Sequence, residues 1–312
     1  MNMQSIYAPF MLTAHKVTAK IIAQVNTLPK RGKIANSPLL QGSVAIVGAG
    51  CGELDLLTIK AVLCIQAADA VVYDSLVNED ILSLASANCE RHYVGKRFGQ
   101  VSAKQDDINR LLLSLALSGK RVVRLKGGDP HIFGRGAEEA LYLAERGIKS
   151  QYVPGITAAL GCAASAGIPL TYRGVARSVT FVTGMLRTSQ SETKADLCGE
   201  QQRDESGAHW HALLSHQSTL VFYMGKEQAA TIEQQLLSHG TASSLPLAFV
   251  TNGGRCDQVV TYGTLATLAR TAASIATAGP SLLVIGEVVT IAQQFALLVA
   301  HMDQAYAEVA YG

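Results

Sequence analysis

Between Ser43 and Ala166 short apolar runs alternate with segments of helical spacing, and this narrows the possible folds more than any other feature of the 312-residue chain. VAIVGAG, Val44 to Gly50, reads as a buried strand ending in glycines. It is followed by Leu54 to Cys64, where Leu56, Leu57, Ile59 and Leu63 suit one helix face. The pattern then predicts a strand at Ala70–Tyr73 closed by Asp74, a short helix near Asn78–Leu84, and a strand at Arg91–Val94 leading to Gly95 and Lys96. An amphipathic helix over about Ala103–Leu117 and a strand at Arg121–Leu125 come next. A helix at Gly136–Arg146, a strand at Gln151–Val153 and a small-residue helix at Thr157–Ala166 complete the series. Strands separated by helices cannot pair as hairpins, so the expectation is a mostly parallel sheet covered on both faces. In such sheets ligands bind beyond the carboxyl ends of the strands, which is where Gly48–Gly52, Asp74, Lys96 and Gly127–Asp129 fall.

The pattern changes at Gly167–Arg177, so a domain link is expected near Thr171–Ala176. The expected fold class is α/β, with two α/β domains: residues 43–173 with the mostly parallel sheet, and 174–312 with a mixed sheet. Strands are predicted at Ser178–Thr183, Thr219–Tyr223, Pro246–Val250, Gln258–Thr261 and Ser281–Ile285, and helices at Lys226–Ser238, Thr264–Ala273 and Ile291–Met302. A polar insertion at about 186–217 has too few apolar residues to order itself and is expected to be a mobile loop. Residues 1–42, basic and without an acidic residue, are expected to be a poorly ordered extension; they lack the h-region and cleavage site of a targeting peptide.

Charge sets further bounds. A net charge of +2 with only 16% charged residues offers no nucleic-acid coat and no acidic tail, so an anionic ligand must meet a local cluster. The six cysteines fall singly, with no C-x-x-C pair, which argues against a zinc site or disulfide framework and for reduced thiols in a cytoplasmic protein. No apolar run reaches the roughly 18 to 20 residues that a membrane span needs.

The chemistry concentrates in VVRLKGGDPHIFGRGAEE, Val122 to Glu139. Its four glycines allow backbone conformations or a close ligand approach that a Cβ would hinder, and also suit an ordinary strand-to-helix turn. Arg124, Lys126, Asp129, Arg135, Glu138 and Glu139, crowded into the same segment, favour a site. Other motifs are weaker. GAGCGE at Gly48–Glu53 is a broken dinucleotide fingerprint, its third glycine replaced by Glu53, with Asp74 as the possible ribose-binding acid. His209, His211 and His216 lack a matching carboxylate or cysteine pattern and read as solvated loop histidines, not metal ligands; no metal is expected. Met224 suits a core position or a sulfonium neighbour, and Arg173 and Arg177 suit solvated linker charges or anion ligands.

Taken together, VGAGCGELDLLTIKA, VYDSLV, VGKR, LKGGDPHIFGRGAEE, VPGITAAL, AGIPLTYRG, FVTG, TLVFYMG and SLLVIGEVV resemble the tetrapyrrole methylase family from about Val44 to Val289. GGDP marks the wider family, and the continuation IFGRG-x-EE points within it to the uroporphyrinogen-III C-methyltransferases. The resemblance implies a homodimer of two-domain chains binding S-adenosylmethionine, with S-adenosylhomocysteine as product. The reaction implied is methylation of uroporphyrinogen III at carbons 2 and 7 to precorrin-2, for sirohaem or cobalamin. Carried over by motif, cofactor contacts fall on Cys51, Gly127, Gly128, Asp129, Ile132, Thr157, Ala158, Met224 and Gly253. Catalytic candidates are Arg135, Glu138, Asp74 and Lys96, and Arg135, Arg173 and Lys96 would bind the substrate's carboxylates. Four positions depart from the family's usual residues: Cys51 for Pro, Glu53 for Asp, Tyr172 for His and Met185 for His. The first 42 residues are too few for a dehydrogenase or chelatase module, so later steps are expected to need other proteins.

The reaction expected from the resemblance ends with loss of a ring proton, which needs a base. An arginine stays protonated, so Arg135 suits a carboxylate anchor and Asp74 or Glu138 suits the base.

Overall fold

The computed structural model describes residues 39–95, 105–184, 210 and 217–311, with side chains to Met302. Contacts divide the chain into two compact units: residues up to Ala158 together with Gly254–Cys256, and Ala159–Gly253 together with Asp257 onward. The change of sequence character at Gly167–Arg177 therefore falls within the second unit.

The first unit is a five-stranded sheet of β1 (Val44–Gly48), β2 (Ala70–Tyr73), β3 (Glu90–Tyr93), β4 (Val122–Lys126) and β5 (Ser150–Val153), in the order β3-β2-β4-β1-β5. Every pairing is parallel, as the alternating pattern predicts. β1 and β4 are buried along their whole length, which is why they read as continuous apolar runs. Residue parity then sorts the faces. Ala45, Val47, Val71, Val123 and Leu125 pack with Ala61, Cys64 and Ile65 of α1 (Ile59–Ala67). Val44, Ile46, Ala70, Val72 and Val122 pack with Leu112 of α2 (Gln105–Leu117) and Leu143 of α3 (Gly136–Ala144).

Two helices expected from periodicity differ in form. The segment from Leu54 breaks into a 3-10 turn, Leu54–Leu56, and α1, because Thr58 stays extended and its side chain accepts from Ala61 N as the cap. The segment near Asn78–Leu84 is 3-10 over Glu79–Leu84. Order also reaches further back than Ser43: Leu39 is buried in the α1-side core, and Gly42 N donates to Lys120 O at 3.2 Å. The rest of the expected extension, residues 1–38, lies outside the described residues.

The second unit begins within α4 (Ala158–Ser165), at Ala159, and holds a mixed sheet of β6 (Ser178–Thr183), β7 (Ser218–Tyr223), β8 (Pro246–Thr251), β9 (Val259–Thr264) and β10 (Ser281–Ile285), ordered β6-β7-β10-β8-β9. β6 pairs parallel with β7, and the remaining pairs are antiparallel. α5 (Ala229–Ser238) and α6 (Leu268–Ser274) cover one face around Phe222, Phe249, Ile232 and Leu236, and α7 (Val288–Tyr311) follows β10. Most of the polar insertion lies outside the described residues, with His209, His211, His216, Cys198 and Met185. Trp210 is described: it is buried and stacks on Phe222 at 6.3 Å. An aromatic ring inside the polar stretch thus belongs to the core.

Candidate active site

Three glycines bring the strand ends of the first unit together. A Cβ on Gly48, the last residue of β1, would lie 2.5 Å from Gly155 N and 2.6 Å from Gly128 O; one on Gly155 would lie 2.3 Å from Gly128 O. The backbones at the ends of β1, β4 and β5 therefore touch with no room for a side chain. Gly50 and Gly128 exchange hydrogen bonds, Gly128 N donating to Gly50 O at 2.6 Å and Gly50 N to Gly128 O at 3.2 Å, which ties the Cys51 loop to the GGD turn. Gly128 takes a left-handed φ of 67°, and Thr157 and Ala158 lie within 4 Å of where its side chain would be.

Asp129 supports this turn. Its Oδ1 accepts from His131 N at 2.8 Å and its Oδ2 from Gly155 N at 3.1 Å. Both oxygens of Asp129 thus already hold backbone N–H groups. After Pro130 and the half-buried Ile132 the loop stays strained, with Phe133 at φ 52° and Arg135 at φ 57°.

Arg135 caps α3 in that left-handed conformation. Its Nε donates to both carboxylate oxygens of Glu138 at 3.0 Å, and its Nη2 to Oε2 at 2.6 Å. Both side chains are more than half exposed. This fork holds the Glu138 carboxyl below the ordinary carboxylate range and raises the Arg135 guanidinium further. Glu138 is thus a poor base while paired, and Arg135 stays a cation.

Asp74 follows β2 and lines a cavity of about 550 Å³ with Tyr73, Ser75, Asn78, Tyr93 and Arg255. Its Oδ1 accepts from Leu76 N at 3.1 Å, and its Oδ2 from Arg124 Nη2 at 3.2 Å. Arg124 is only 3% exposed and is otherwise held by backbone carbonyls of Val72 and Leu125 and by Glu139. Arg255 Nη2 donates to Leu76 O, and Asn78 Nδ2 to Gly52 O, so the cavity wall is cross-linked to the Cys51 loop. Glu53, at the departure from the usual aspartate, precedes the 3-10 turn; desolvation and then the charge of Asp55 push its carboxyl upward.

The sequence-derived candidates divide between the units. Cys51, Asp74, Gly127, Gly128, Asp129, Ile132, Arg135, Glu138, Thr157 and Ala158 belong to the first, where the strand ends gather them. Arg173, Met224 and Gly253 belong to the second. Arg173 is exposed in the turn bridged by Tyr172 and Ala176. Met224 ends β7 at a left-handed φ of 55°, and a Cβ on Gly253 would lie 2.4 Å from Cys162 Sγ, so this glycine lets its loop lie on α4. Lys96 lies outside the described residues.

Sequence reading missed Gly155, Asn78 and Arg255, and gave no role to Arg124, Lys126 or Glu139. A signal existed for Glu139, since it shares the inward stripe of α3 with Gly136, Ala140 and Leu143 while Glu138 does not. Arg124 and Lys126 likewise share the parity of Val122 in a fully buried strand. Arg255 could be placed only by folding, because its short segment joins the first unit from far along the chain. Among the described residues no group of three or more metal-ligating side chains occurs. No helix is long and apolar enough to cross a membrane, again among the described residues.

Comparison with known proteins converges on one family. The profile of the Tetrapyrrole (Corrin/Porphyrin) Methylases matches residues 43–269. Siroheme synthase 1 of Serratia proteamaculans is 48% identical over 265 residues, 85% of this chain and 52% of that protein. Siroheme synthase 1 of Yersinia enterocolitica is 49% identical over 256 residues, 82% of this chain and 51% of that protein. The chain spans about half the length of these curated relatives. A crystal structure of uroporphyrin-III C-methyl transferase from Thermus thermophilus, complexed with S-adenyl homocysteine, is 34% identical and superposes with a TM-score of 0.63, covering 80% of this chain and 94% of that one. With a family profile across most of the chain, relatives near half identity and the same two-sheet fold, this chain belongs to the tetrapyrrole methylases.

Proposed function

We propose that the chain methylates uroporphyrinogen III at carbons 2 and 7, with S-adenosylmethionine as donor, to give precorrin-2 for sirohaem or cobalamin. The observation that carries this reading is the likeness to the Thermus uroporphyrin-III C-methyl transferase over 94% of that enzyme's length. The strand-end glycines fit such a donor: Gly127 and Gly128 form a turn without side chains, half-exposed and braced by Asp129. When bound, the cofactor supplies a methyl group on a sulfonium; the S–CH3 bond breaks as the ring C–CH3 bond forms, and the sulfonium becomes a neutral thioether. Cys51, Gly127, Gly128, Asp129, Ile132, Thr157, Ala158, Met224 and Gly253 are the residues assigned to hold it.

The chain's own work is positioning and proton removal. Holding two reactants in register is worth roughly 7–11 kcal/mol of barrier. Arg135, with donors beyond those engaged by Glu138, anchors a substrate carboxylate, as do Arg173 and Lys96. Asp74 is assigned as the base that takes the ring proton, because the Arg135 fork leaves Glu138 weakly basic. The working form is proposed to be a homodimer. An apolar groove of about 600 Å³ in the second unit, lined by Leu160, Ile168, Tyr172, Ile291 and Phe295, supports association, and sedimentation at micromolar concentration checks it.

The deciding experiment is anaerobic incubation of the chain with uroporphyrinogen III and S-adenosylmethionine, followed by mass spectrometry. A product heavier by two methyl groups is expected, with two equivalents of S-adenosylhomocysteine. Binding of the tetrapyrrole without donor consumption overturns the enzymatic reading. Methylation only of an already methylated corrinoid overturns the substrate assignment.

A further inference from the structure

Beside Asp74 lies a buried group of three charges that no part of the proposed reaction uses directly. Glu139 is completely buried, and Arg124 and Lys126 are 3% and 6% exposed. One oxygen of Glu139, Oε1, accepts from Lys126 Nζ at 2.8 Å, from Gln105 Nε2 at 3.2 Å and from Arg124 Nε at 3.3 Å. The other, Oε2, is buried with no partner among the described residues. A buried carboxylate oxygen without a donor is costly, because the desolvation of that oxygen is not compensated. Stability alone would favour an apolar residue here, as at Ala140 and Leu143 on the same stripe.

Among the described residues, Arg124 links the cluster to the cavity. Arg124 spans it, Nε on Glu139 and Nη2 on Asp74, 3.2 Å from Oδ2 at the cavity wall. Two cations, Arg124 and Lys126, face two carboxylates, Glu139 and Asp74, so protonating Asp74 leaves a buried net positive charge. Among the described residues, the other charged or titratable groups lining the cavity with Asp74 are Tyr73, Glu79, Tyr93 and Arg255. Those near Glu139 on its own helix are Arg135 and Glu138, already paired with each other. Burial, then the charge of Arg124, pushes the Lys126 ammonium down, and Glu139 opposes that shift. The carboxylate therefore keeps the cluster balanced.

We propose that Glu139 is a positioning residue for Asp74: sharing Arg124 between the two carboxylates fixes the orientation of Asp74 and draws part of the guanidinium's charge away from the group that accepts the ring proton. Removing the Glu139 charge would give Arg124 wholly to Asp74 and hold it more firmly as a weak base; removing the Lys126 charge would act in the opposite sense. This rests on the methyltransfer reading given above, and the test separates the two.

The pH dependence of kcat/KM for uroporphyrinogen III is measured in wild type, Glu139→Gln and Lys126→Met, each checked for folding by circular dichroism and melting. The acid limb is expected to move down by about half a pH unit in Glu139→Gln and up by a similar amount in Lys126→Met. In Glu139→Gln kcat falls about threefold to tenfold while KM stays within about twofold. Glu139→Asp, which retains the charge, restores the limb. Opposite shifts are not produced by loosened packing, and either folded variant decides alone: an unmoved limb, or equal changes in KM and kcat, overturns the proposal. The carbon-13 carboxylate resonance of Asp74, followed against pH in the same variants, reads the coupling without turnover. If the resonance responds as described but no donor is consumed, the coupling stands and only the assigned reaction falls; if turnover is normal and the resonance is indifferent, the coupling falls.

Discussion

Glu138 and Glu139 are neighbours in sequence and opposites in environment. Glu138 points to solvent and is gripped by Arg135 three residues earlier; Glu139 is sealed against β4. The helical turn of 100° per residue is enough to separate them. Arg135 and Glu138 were legible as a charged site from the motif, but their mutual pairing needed the left-handed φ of Arg135, which no composition rule predicts at a non-glycine. Arg135→Lys keeps the charge and loses the planar fork, so the KM for uroporphyrinogen III is expected to rise about tenfold, equivalent to about 1.4 kcal/mol, with a smaller fall in kcat. Steady-state kinetics check this; normal binding with abolished turnover would make Arg135 something other than an anchor. Gly155 carries a second prediction. Its Cβ would sit 2.3 Å from Gly128 O, so Gly155→Ala is expected to cost more than about 2 kcal/mol in urea unfolding and to weaken donor binding as the GGD turn shifts.

At the scale of elements, strand order was beyond the sequence and strand identity was not. The alternating pattern located all five strands of the first sheet, polar β3 included, and parallel pairing followed from the helices between them. That β4 lies beside both β1 and β2, however, depends on which crossovers close, and only this order puts Arg124 next to Asp74. The amino ends of β2 and β4 are joined by Asp69, which accepts from Arg121 N at 2.8 Å, Nε at 3.0 Å and Nη2 at 2.7 Å. These bonds to Arg121 lower its carboxyl from 3.8 to about 2. A depressed carboxyl stabilises the fold above its unfolded value and loses that contribution as pH falls through the folded one. Acid unfolding of Asp69→Asn is therefore expected to be less steep between about pH 4 and pH 2 than that of wild type, with lower stability at neutral pH. Half-exposure keeps the effect small.

For the molecule as a whole, a net charge of +2 leaves no strong global field, so recognition of the proposed substrate, a carboxylate-rich tetrapyrrole, must rest on local arginines and lysines. Raising ionic strength from about 0.05 to 0.5 M is accordingly expected to increase the KM for uroporphyrinogen III several-fold and to leave that for S-adenosylmethionine nearly unchanged. Equal sensitivity of both would contradict a substrate held mainly by surface cations. By itself the sequence determined the class of fold, the position of most strands, the glycine turn and the family, because these follow from local periodicity, backbone sterics and short motifs. Only the tertiary structure decided that Asp129 braces its own loop, that Trp210 belongs to the core, that Arg255 returns to the first unit, and that Arg124 joins Glu139 to Asp74. Each of these is a contact between residues distant in the chain or turned to a buried face, and its partner is set by how sheets and helices close in space, not by any pattern along the chain.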